Sequence, residues 1–321
     1  MYLVNRWPVD VFLVHGDRLR FGSVVGTWVV PVFHRLPCIA VCCLLPVGPA
    51  AASEPLPSIS TAVTGDNGFL IHSVRSPYQA GTTKIRVLLP VPLDKQKKYP
   101  VLFVLPVEAN DGNRYGDGLL AIKRSGLHNK YGLICAAPTF SHRPWYADHP
   151  TDKTIRQETY FLKIVVPFVE STYPAFGRPQ GRLLVGFSKS GWGAFSLLLR
   201  HPDLFGRAAA WDAPLMKAKP NEFGMGPIFG TQGNFAKYQV TALLRQRVNL
   251  LCKANRLVLT GYGNFRRHHQ QVHRLMKQLG IQCVYRDGPR RKHRWDSGWL
   301  PDTLSLLCRS ADRKKPPLPG R

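Results

Sequence analysis

The sequence is poor in acidic residues, and this deficit is its most unusual bulk property. Only 19 aspartates and glutamates accompany 44 lysines and arginines, which gives a formal net charge of +25 at pH 7. Such an excess attracts anionic partners, among them nucleic acid, acidic polysaccharide and anionic lipid. The chain has no zinc-finger, RRM or helix-turn-helix pattern, so we expect no specific nucleic-acid recognition. A basic solvated surface without a dedicated partner is the preferred interpretation of the charge.

Metal-binding cysteine pairs and long apolar runs are also absent. Seven cysteines occur, but no two have the CxxC spacing, which argues against a zinc site. The apolar stretch at 36–45 is short and contains Pro37, so it predicts no stable membrane span. It follows the basic pair at 34–35 and leads into alanines at 50–52, an order typical of a secretory signal peptide.

We therefore predict a secreted or periplasmic protein whose signal peptide, residues 1–52, is cleaved near Ala52. The long preface before the charged region suggests a start assigned too early, with a valine such as Val24 or Val29 as the true first residue. A retained tail or membrane anchor is the alternative. Export would allow one or two disulfides among the cysteines that remain: Cys135, Cys252, Cys283 and Cys308.

From about residue 83 onward, strand patterns alternate with helical patterns. The continuous apolar runs at 101–105, 133–137 and 182–187 are typical of strands buried on both faces. This alternation predicts an α/β fold over 83–310, with a mostly parallel central sheet and helices on both faces. Residues 53–82 are predicted to form an N-terminal linker or edge strand, and residues from about 214 to 240 a loop or small cap. Residues 311–321 are predicted to form a disordered basic tail.

The strongest local motif is the turn that contains Ser188. The residues Gly186-Phe187-Ser188-Lys189-Ser190-Gly191 join a predicted strand to a predicted helix. A nucleophile elbow has the pattern G-x-S-x-G in this context, because its tight turn tolerates only small flanking residues. Ser190 replaces the last glycine but is still small. The alternative is an ordinary turn in which Ser188 caps the helix.

The segment 186–194, GFSKSGWGA, and the segment 197–205, LLLRHPDLF, carry a family resemblance. They are similar to the esterase D-like branch of the α/β-hydrolases, which includes S-formylglutathione hydrolases and feruloyl-esterase-like enzymes, here of a secreted bacterial type. The resemblance covers about residues 80–308. It implies the α/β-hydrolase fold and a carboxylic ester hydrolase that forms an acyl-enzyme on Ser188, with neither a cofactor nor a metal.

The family places its catalytic residues in the order serine, acid, histidine. His293 follows the predicted strand 281–286 and has the position of the base; a surface histidine in a basic loop is the alternative. The family's usual acid position aligns with Asn264, which cannot stabilise an imidazolium by charge. We therefore prefer Asp212, at the end of the preceding strand, as the acid, with Asn264 as a neighbour that orients the loop or His293. A turn-forming role for Asp212 is the alternative.

An oxyanion hole needs two backbone N–H groups. We expect one from Lys189, which follows the nucleophile, and the other from Val107 or Glu108, which follow the strand 101–105. The candidate substrate-pocket residues are aromatic, with core packing as the alternative for each: Trp145, Tyr146 and Trp192.

Five basic residues surround His293: Arg286, Arg290, Arg291, Lys292 and Arg294. They would suit an anionic substrate, but a solvated loop is the preferred interpretation. His269 and His273 have a spacing that could hold a metal, but a solvated helix face is the preferred interpretation. Acylated carbohydrates and phenolic esters are the expected substrates. The alternatives are a catalytically impaired protein that binds polysaccharide or another anionic partner, and a nucleic-acid or membrane-surface protein. Neither the ester nor the oligomeric state follows from the sequence.

Overall fold

A ten-stranded mixed sheet forms the centre of the fold. The computed structural model describes residues 56–252 and 255–309. The predicted signal peptide and the predicted basic tail lie outside the described residues. Among those that are described, no helix combines the length and apolarity needed to cross a membrane.

The strands follow the predicted alternation closely. Their bounds are β1 Ser58–Ile59, β2 Val63–Thr64, β3 Leu70–Arg75, β4 Thr82–Leu88, β5 Val101–Val104, β6 Ile134–Pro138, β7 Arg182–Phe187, β8 Arg207–Trp211, β9 Leu257–Tyr262 and β10 Cys283–Arg290. The order across the sheet is β1-β3-β4-β6-β5-β7-β8-β9-β10, and β2 pairs with β3. In this spatial order, every neighbouring pair from β6 across to β10 is parallel. The pairs β1-β3, β3-β4 and β4-β6 are antiparallel.

Helices connect the parallel strands and cover both faces of the sheet. Their bounds are α1 Gly118–Arg124, α2 Leu127–Lys130, α3 Gln157–Tyr160, α4 Val166–Thr172, α5 Ser188–Arg200, α6 Gly226–Phe229, α7 Gln232–Ala236, α8 Val240–Gln246, α9 Val248–Leu251, α10 Arg266–Gln278 and α11 Leu300–Leu307. Two of these helices have notable boundaries. A π-helical turn at Phe161–Val165 lies between α3 and α4, and α5 begins at Ser188 itself.

Two hydrophobic cores lie on opposite faces of the sheet. Along β5, Val101 and Phe103 belong to one core, whereas Leu102 and Val104 belong to the other, as the two-residue period of a strand requires. Burial of each such side chain contributes about 1.5–3 kcal/mol to folding. Strand β5 is therefore held from both sides, and the loop that follows it starts from a rigid position.

The segment expected to form a loop or small cap contains only the short helices α6 and α7. Ile228, Phe229 and Phe235 from this segment are buried and join the core that contains Trp192. This packing makes the segment part of the main domain. The segment 53–82 contributes the antiparallel edge strands β1 to β3. The four described cysteines are free thiols: Cys135, Cys252, Cys283 and Cys308.

Candidate active site

The turn at Ser188 has a strained backbone. Strand β7 ends at Phe187 and helix α5 begins at Ser188, whose φ is +51°, in the left-handed region that residues with a side chain seldom adopt. A Cβ atom at Gly186 would lie 2.3 Å from the carbonyl oxygen of Ser190, so only glycine fits there. Such a conformation places the serine side chain at the carboxyl edge of the sheet, at the amino end of a 13-residue helix.

Ser190 stabilises this turn through its hydroxyl group. Its Oγ accepts a hydrogen bond from the N–H of Phe187 at 3.1 Å and donates one to the carbonyl oxygen of Phe187 at 2.9 Å. Both groups are buried, so these bonds satisfy polar atoms that would otherwise lack partners. The departure from the usual glycine therefore supports the turn.

Asp212 and His293 lie in direct contact. Nδ1 of His293 donates a hydrogen bond to Oδ2 of Asp212 at 2.6 Å. Asp212 follows β8, the strand next to β7, and is fully buried, whereas the His293 side chain is 16% exposed. Because the carboxylate accepts this hydrogen bond, Nδ1 carries the proton of the ring, and Nε2 is left unprotonated and able to accept a proton.

The backbone after β9 encloses the Asp212 carboxylate. The N–H of Asn264 lies 2.9 and 2.8 Å from the two carboxylate oxygens, and the N–H of Phe265 lies 2.7 Å from Oδ1. A Cβ atom at Gly263 would lie 2.7 Å from Oδ2, so glycine permits this close approach. Burial alone would raise the pKa of Asp212, but the hydrogen bonds from His293 and from the 263–265 backbone hold it below its usual value.

His269 has a structural position that sequence reasoning missed. It was expected on a solvated face, but it is buried, and its Nε2 accepts a hydrogen bond from the N–H of Ala213 at 2.7 Å. Burial lowers the pKa of His269 to about 4, so the ring is neutral at pH 7. His273 instead packs on the ring of Tyr285 at 4.0 Å. Within 56–252 and 255–309, no group of three or more potential ligands could hold a metal ion.

The predicted oxyanion donors have unengaged backbone N–H groups. Among the described residues, no hydrogen bond uses the N–H of Lys189, Val107 or Glu108. The loop after β5 is fixed by Tyr146, whose Oη donates to the carbonyl oxygen of Pro106 at 2.6 Å. Burial raises the pKa of Tyr146 well above its usual value, so this group remains a donor.

The aromatic residues proposed for the pocket lie in the core. Trp145, Tyr146 and Trp192 are fully buried, which corrects the expectation that they line the substrate pocket. Trp145 and Trp192 pack edge to face at 5.4 Å between ring centroids. A Cβ atom at Gly193 would lie 2.1 Å from the Tyr146 ring, so the tyrosine occupies the space that this glycine leaves.

Other aromatic rings surround His293. The rings of Phe187, Tyr115 and Phe265 have centroids 4.9, 5.7 and 5.9 Å from the imidazole. Tyr115 belongs to the Gly-, Asp- and Asn-rich loop after β5, and that position at a strand end is the signal by which it could have been found. Its carbonyl oxygen accepts the N–H of Trp295 at 2.8 Å, which joins this loop to the His293 loop.

The basic cluster around His293 is partly neutralised. Arg294 pairs with Asp296 at 2.9 Å, and Arg291 lies 3.9 Å from Asp302. The other three members are exposed: Arg286, Arg290 and Lys292. A polar cavity of about 210 Å³ lies nearby, and its lining includes Val107 from the oxyanion loop and Trp295 from the His293 loop.

The mixed sheet, whose parallel strands are joined by crossover helices, and the strained serine turn define an α/β-hydrolase. A family model described as "Putative esterase" matches residues 76–246, more than half of the chain. The chain belongs to this esterase family and is a carboxylic ester hydrolase by class, as the motifs around Ser188 predicted.

Solved structures of esterases share the fold. A ferulic acid esterase is 21% identical, with a TM-score of 0.54 over 78% of this chain and 97% of its own. An S-formylglutathione hydrolase from Agrobacterium tumefaciens is 16% identical, with a TM-score of 0.59 over 78% and 98%. A fluorophosphonate-binding serine hydrolase from Staphylococcus aureus is 15% identical, with a TM-score of 0.60 over 75% and 98%. These similarities confirm the α/β-hydrolase fold.

Proposed function

We propose that this protein hydrolyses carboxylic esters through an acyl-enzyme on Ser188, with His293 as the general base and Asp212 as its acidic partner. The observation that carries the proposal is the 2.6 Å hydrogen bond from His293 Nδ1 to Asp212 Oδ2, at the strand end beside the Ser188 turn. The triad is recognised by the roles of its members, so the acid can follow either strand after the nucleophile.

The reaction runs in two halves. Ser188 Oγ attacks the ester carbonyl while His293 Nε2 takes its proton, and a tetrahedral oxyanion forms. The C–O bond to the alcohol then breaks, and the proton on His293 passes to the departing alkoxide. In the second half, His293 removes a proton from water, which attacks the acyl-enzyme, and the proton returns to Ser188 as the acid leaves.

Asp212 is suited to its role because it is ionised and immobile. Its carboxylate fixes the histidine tautomer and stabilises the imidazolium that forms in each half-reaction. Asn264, at the family's usual acid position, acts through its backbone N–H, which helps to keep the Asp212 pKa low. The asparagine side chain therefore has no part in the proton transfer.

We assign the oxyanion hole to the N–H of Lys189 together with that of Val107 or Glu108. The amino end of α5 adds a positive partial charge beside the developing oxyanion. Tyr146 supports the second donor by holding the Pro106 carbonyl, which precedes Val107.

We propose that the substrates are acylated carbohydrates or phenolic esters. We also propose that the protein is exported. A structural neighbour described as a ferulic acid esterase supports the phenolic class. The polar cavity beside Val107 offers hydrogen-bonding groups to a hydroxylated alcohol. The alternative of a non-catalytic binding protein depended on Asn264 and Ser190. Asp212 contacts His293, and Ser190 stabilises the turn, so neither departure removes a catalytic group.

Two measurements test the proposal: hydrolysis of a short-chain p-nitrophenyl ester and labelling by a fluorophosphonate. The native protein should turn over the ester and carry one label, and Ser188→Ala should lose both. Ser171→Ala, an exposed serine on α4, is the matched control and should retain both. Absence of turnover together with absence of labelling in the native protein would falsify the esterase mechanism.

A further inference from the structure

A cluster of three charged side chains beside Ser188 is not used by this mechanism. Lys189 is the second residue of α5, after β7, whereas Glu108 follows β5 and Arg143 follows β6. These strands are neighbours in the order β6-β5-β7 and run parallel, so the residues after them gather at one edge of the sheet. Lys189 is also the residue bonded to the nucleophile, with Cα atoms about 3.8 Å apart.

The Lys189 ammonium lacks a partner among the described residues, where it forms no hydrogen bond and no ion pair within 4.0 Å. Its side chain is half-buried. Burial, with repulsion from Arg143, lowers the pKa of Lys189 to about 8 in spite of attraction from Glu108. The group therefore remains largely cationic at pH 7 while part of its hydration is lost, a situation that favours an anionic partner.

Arg143 adds a second cation to the same place. Its guanidinium packs over the turn at Gly224, where a Cβ atom would lie 2.8 Å from Nη1, and it forms no ion pair within the described part of the chain. Glu108 attracts Lys189, but among the described residues the two form no ion pair within 4.0 Å. Two cations are thus set against one carboxylate at these strand ends, which leaves a net positive charge near the nucleophile.

We propose that Lys189 and Arg143 form an anion subsite that selects esters with a carboxylate a few bonds from the scissile carbonyl. The planar guanidinium can bind a carboxylate through two parallel hydrogen bonds, and the ammonium supplies a point charge. This inference rests on the proposed function, because Ser188 defines where the ester carbonyl lies. It adds a substrate class, the monoester of a dicarboxylic acid, that the triad alone does not specify.

The test compares two p-nitrophenyl esters of equal chain length, the neutral pentanoate and the anionic monoester of glutaric acid. Background hydrolysis is subtracted with Ser188→Ala protein. The measured quantity is the ratio of kcat/KM for the anionic ester to that for the neutral ester. We expect a native ratio of about ten or more, from charges that interact in a partly desolvated site.

The ratio should fall about ten-fold in Lys189→Met and in Arg143→Gln, and should rise in Glu108→Gln, which removes the opposing carboxylate. Lys163→Met, which removes an exposed cation on another surface, is the matched control and should leave the ratio unchanged. Because Arg143 is exposed, its variant should fold even where that of Lys189 does not.

A native ratio near one that neither cation variant changes would overturn the anion subsite while leaving the esterase proposal intact. A preference for a cationic ester such as a choline ester would overturn it as well. Failure to turn over either ester would count against the proposed function, and against this inference with it.

Discussion

His269 stabilises the backbone next to Asp212: its Nε2 accepts a hydrogen bond from the N–H of Ala213, the residue after Asp212, at 2.7 Å. Asp212 has a φ of +43°, a strained value that must be imposed by its surroundings. Two features thus hold this carboxylate. The 263–265 backbone binds its oxygens, and a neutral histidine fixes the turn from which it projects.

Replacement of His269 by phenylalanine should therefore lower kcat about 10- to 100-fold with little change in KM, because the Asp212–His293 pair loses its alignment. The unpaired N–H of Ala213 should also cost about 1–3 kcal/mol of unfolding free energy. Steady-state kinetics and urea titration measure the two effects. His273→Asn, on the same helix, serves as the control, and an unchanged kcat in His269→Phe would show that Asp212 needs no such support.

Acid should weaken the fold through the same residue. The pKa of His269 is about 4 when folded and about 6.5 when unfolded, so below pH 6.5 the unfolded chain binds a proton that the folded chain does not. The contribution of neutral His269 to the free energy of unfolding is therefore fully present above pH 6.5. The free energy of unfolding falls by about 3 kcal/mol as the pH is lowered to 4. Urea titrations across this window should give a flatter profile for His269→Gln, and parallel profiles would contradict the prediction.

Asp212→Ala and Asn264→Ala should separate the two candidate acids. Loss of Asp212 leaves His293 without its partner and should lower kcat about 10³- to 10⁴-fold. Loss of the Asn264 side chain should change kcat by less than a few-fold, because the backbone N–H that binds Asp212 remains. Ester hydrolysis by both variants decides the matter. The reverse order of effects would transfer the role to Asn264.

Tyr146→Phe should reduce the positioning of the second oxyanion donor, the N–H of Val107 or Glu108. The change removes only the hydroxyl that holds the Pro106 carbonyl, so we expect kcat to fall about ten-fold, with a loss of about 1 kcal/mol in stability. Kinetics on the neutral ester give the first value and urea titration the second. Tyr131→Phe, remote from the turn, is the control. A loss of stability without a loss of kcat would indicate a purely structural hydroxyl.

The preference for the anionic ester should depend on pH. Lys189 has a pKa of about 8, so the ratio of anionic to neutral turnover should decline as the pH rises through that value. Glu108→Gln keeps the preference and should move its midpoint to lower pH, because it removes a charge that attracts the Lys189 ammonium. A ratio that is constant from about pH 6 to 9 would exclude Lys189 as its source.

The sequence predicted the pairing of Asp212 with His293, because strand order brings the two residues to one edge of the sheet. Ser188, Asp212 and His293 each follow a predicted parallel strand, and the carboxyl ends of such strands share one edge. The contacts that support these residues could not be predicted from the sequence. Tyr146 meets Pro106 across 40 residues and His269 meets Ala213 across 56, and only the folded chain brings such partners together.

The aromatic residues show a different limit of sequence patterns. Trp145 and Trp192 were considered for a pocket because aromatic side chains serve both pockets and cores. Their burial follows from the course of the 214–240 segment, which folds back to pack Phe229 and Phe235 against Trp192. No local periodicity predicts that return, since α6 and α7 are only four and five residues long.

Position 190 shows what an elbow requires of its fifth residue. The hydroxyl of Ser190 binds both backbone groups of Phe187 and so performs a task that a bare glycine leaves to the main chain. Glycine is indispensable at 186, where there is no room for a Cβ atom, but not at 190. Motif searches that demand both glycines will therefore overlook hydrolases of this kind, whereas a serine of positive φ between a strand and a helix identifies them.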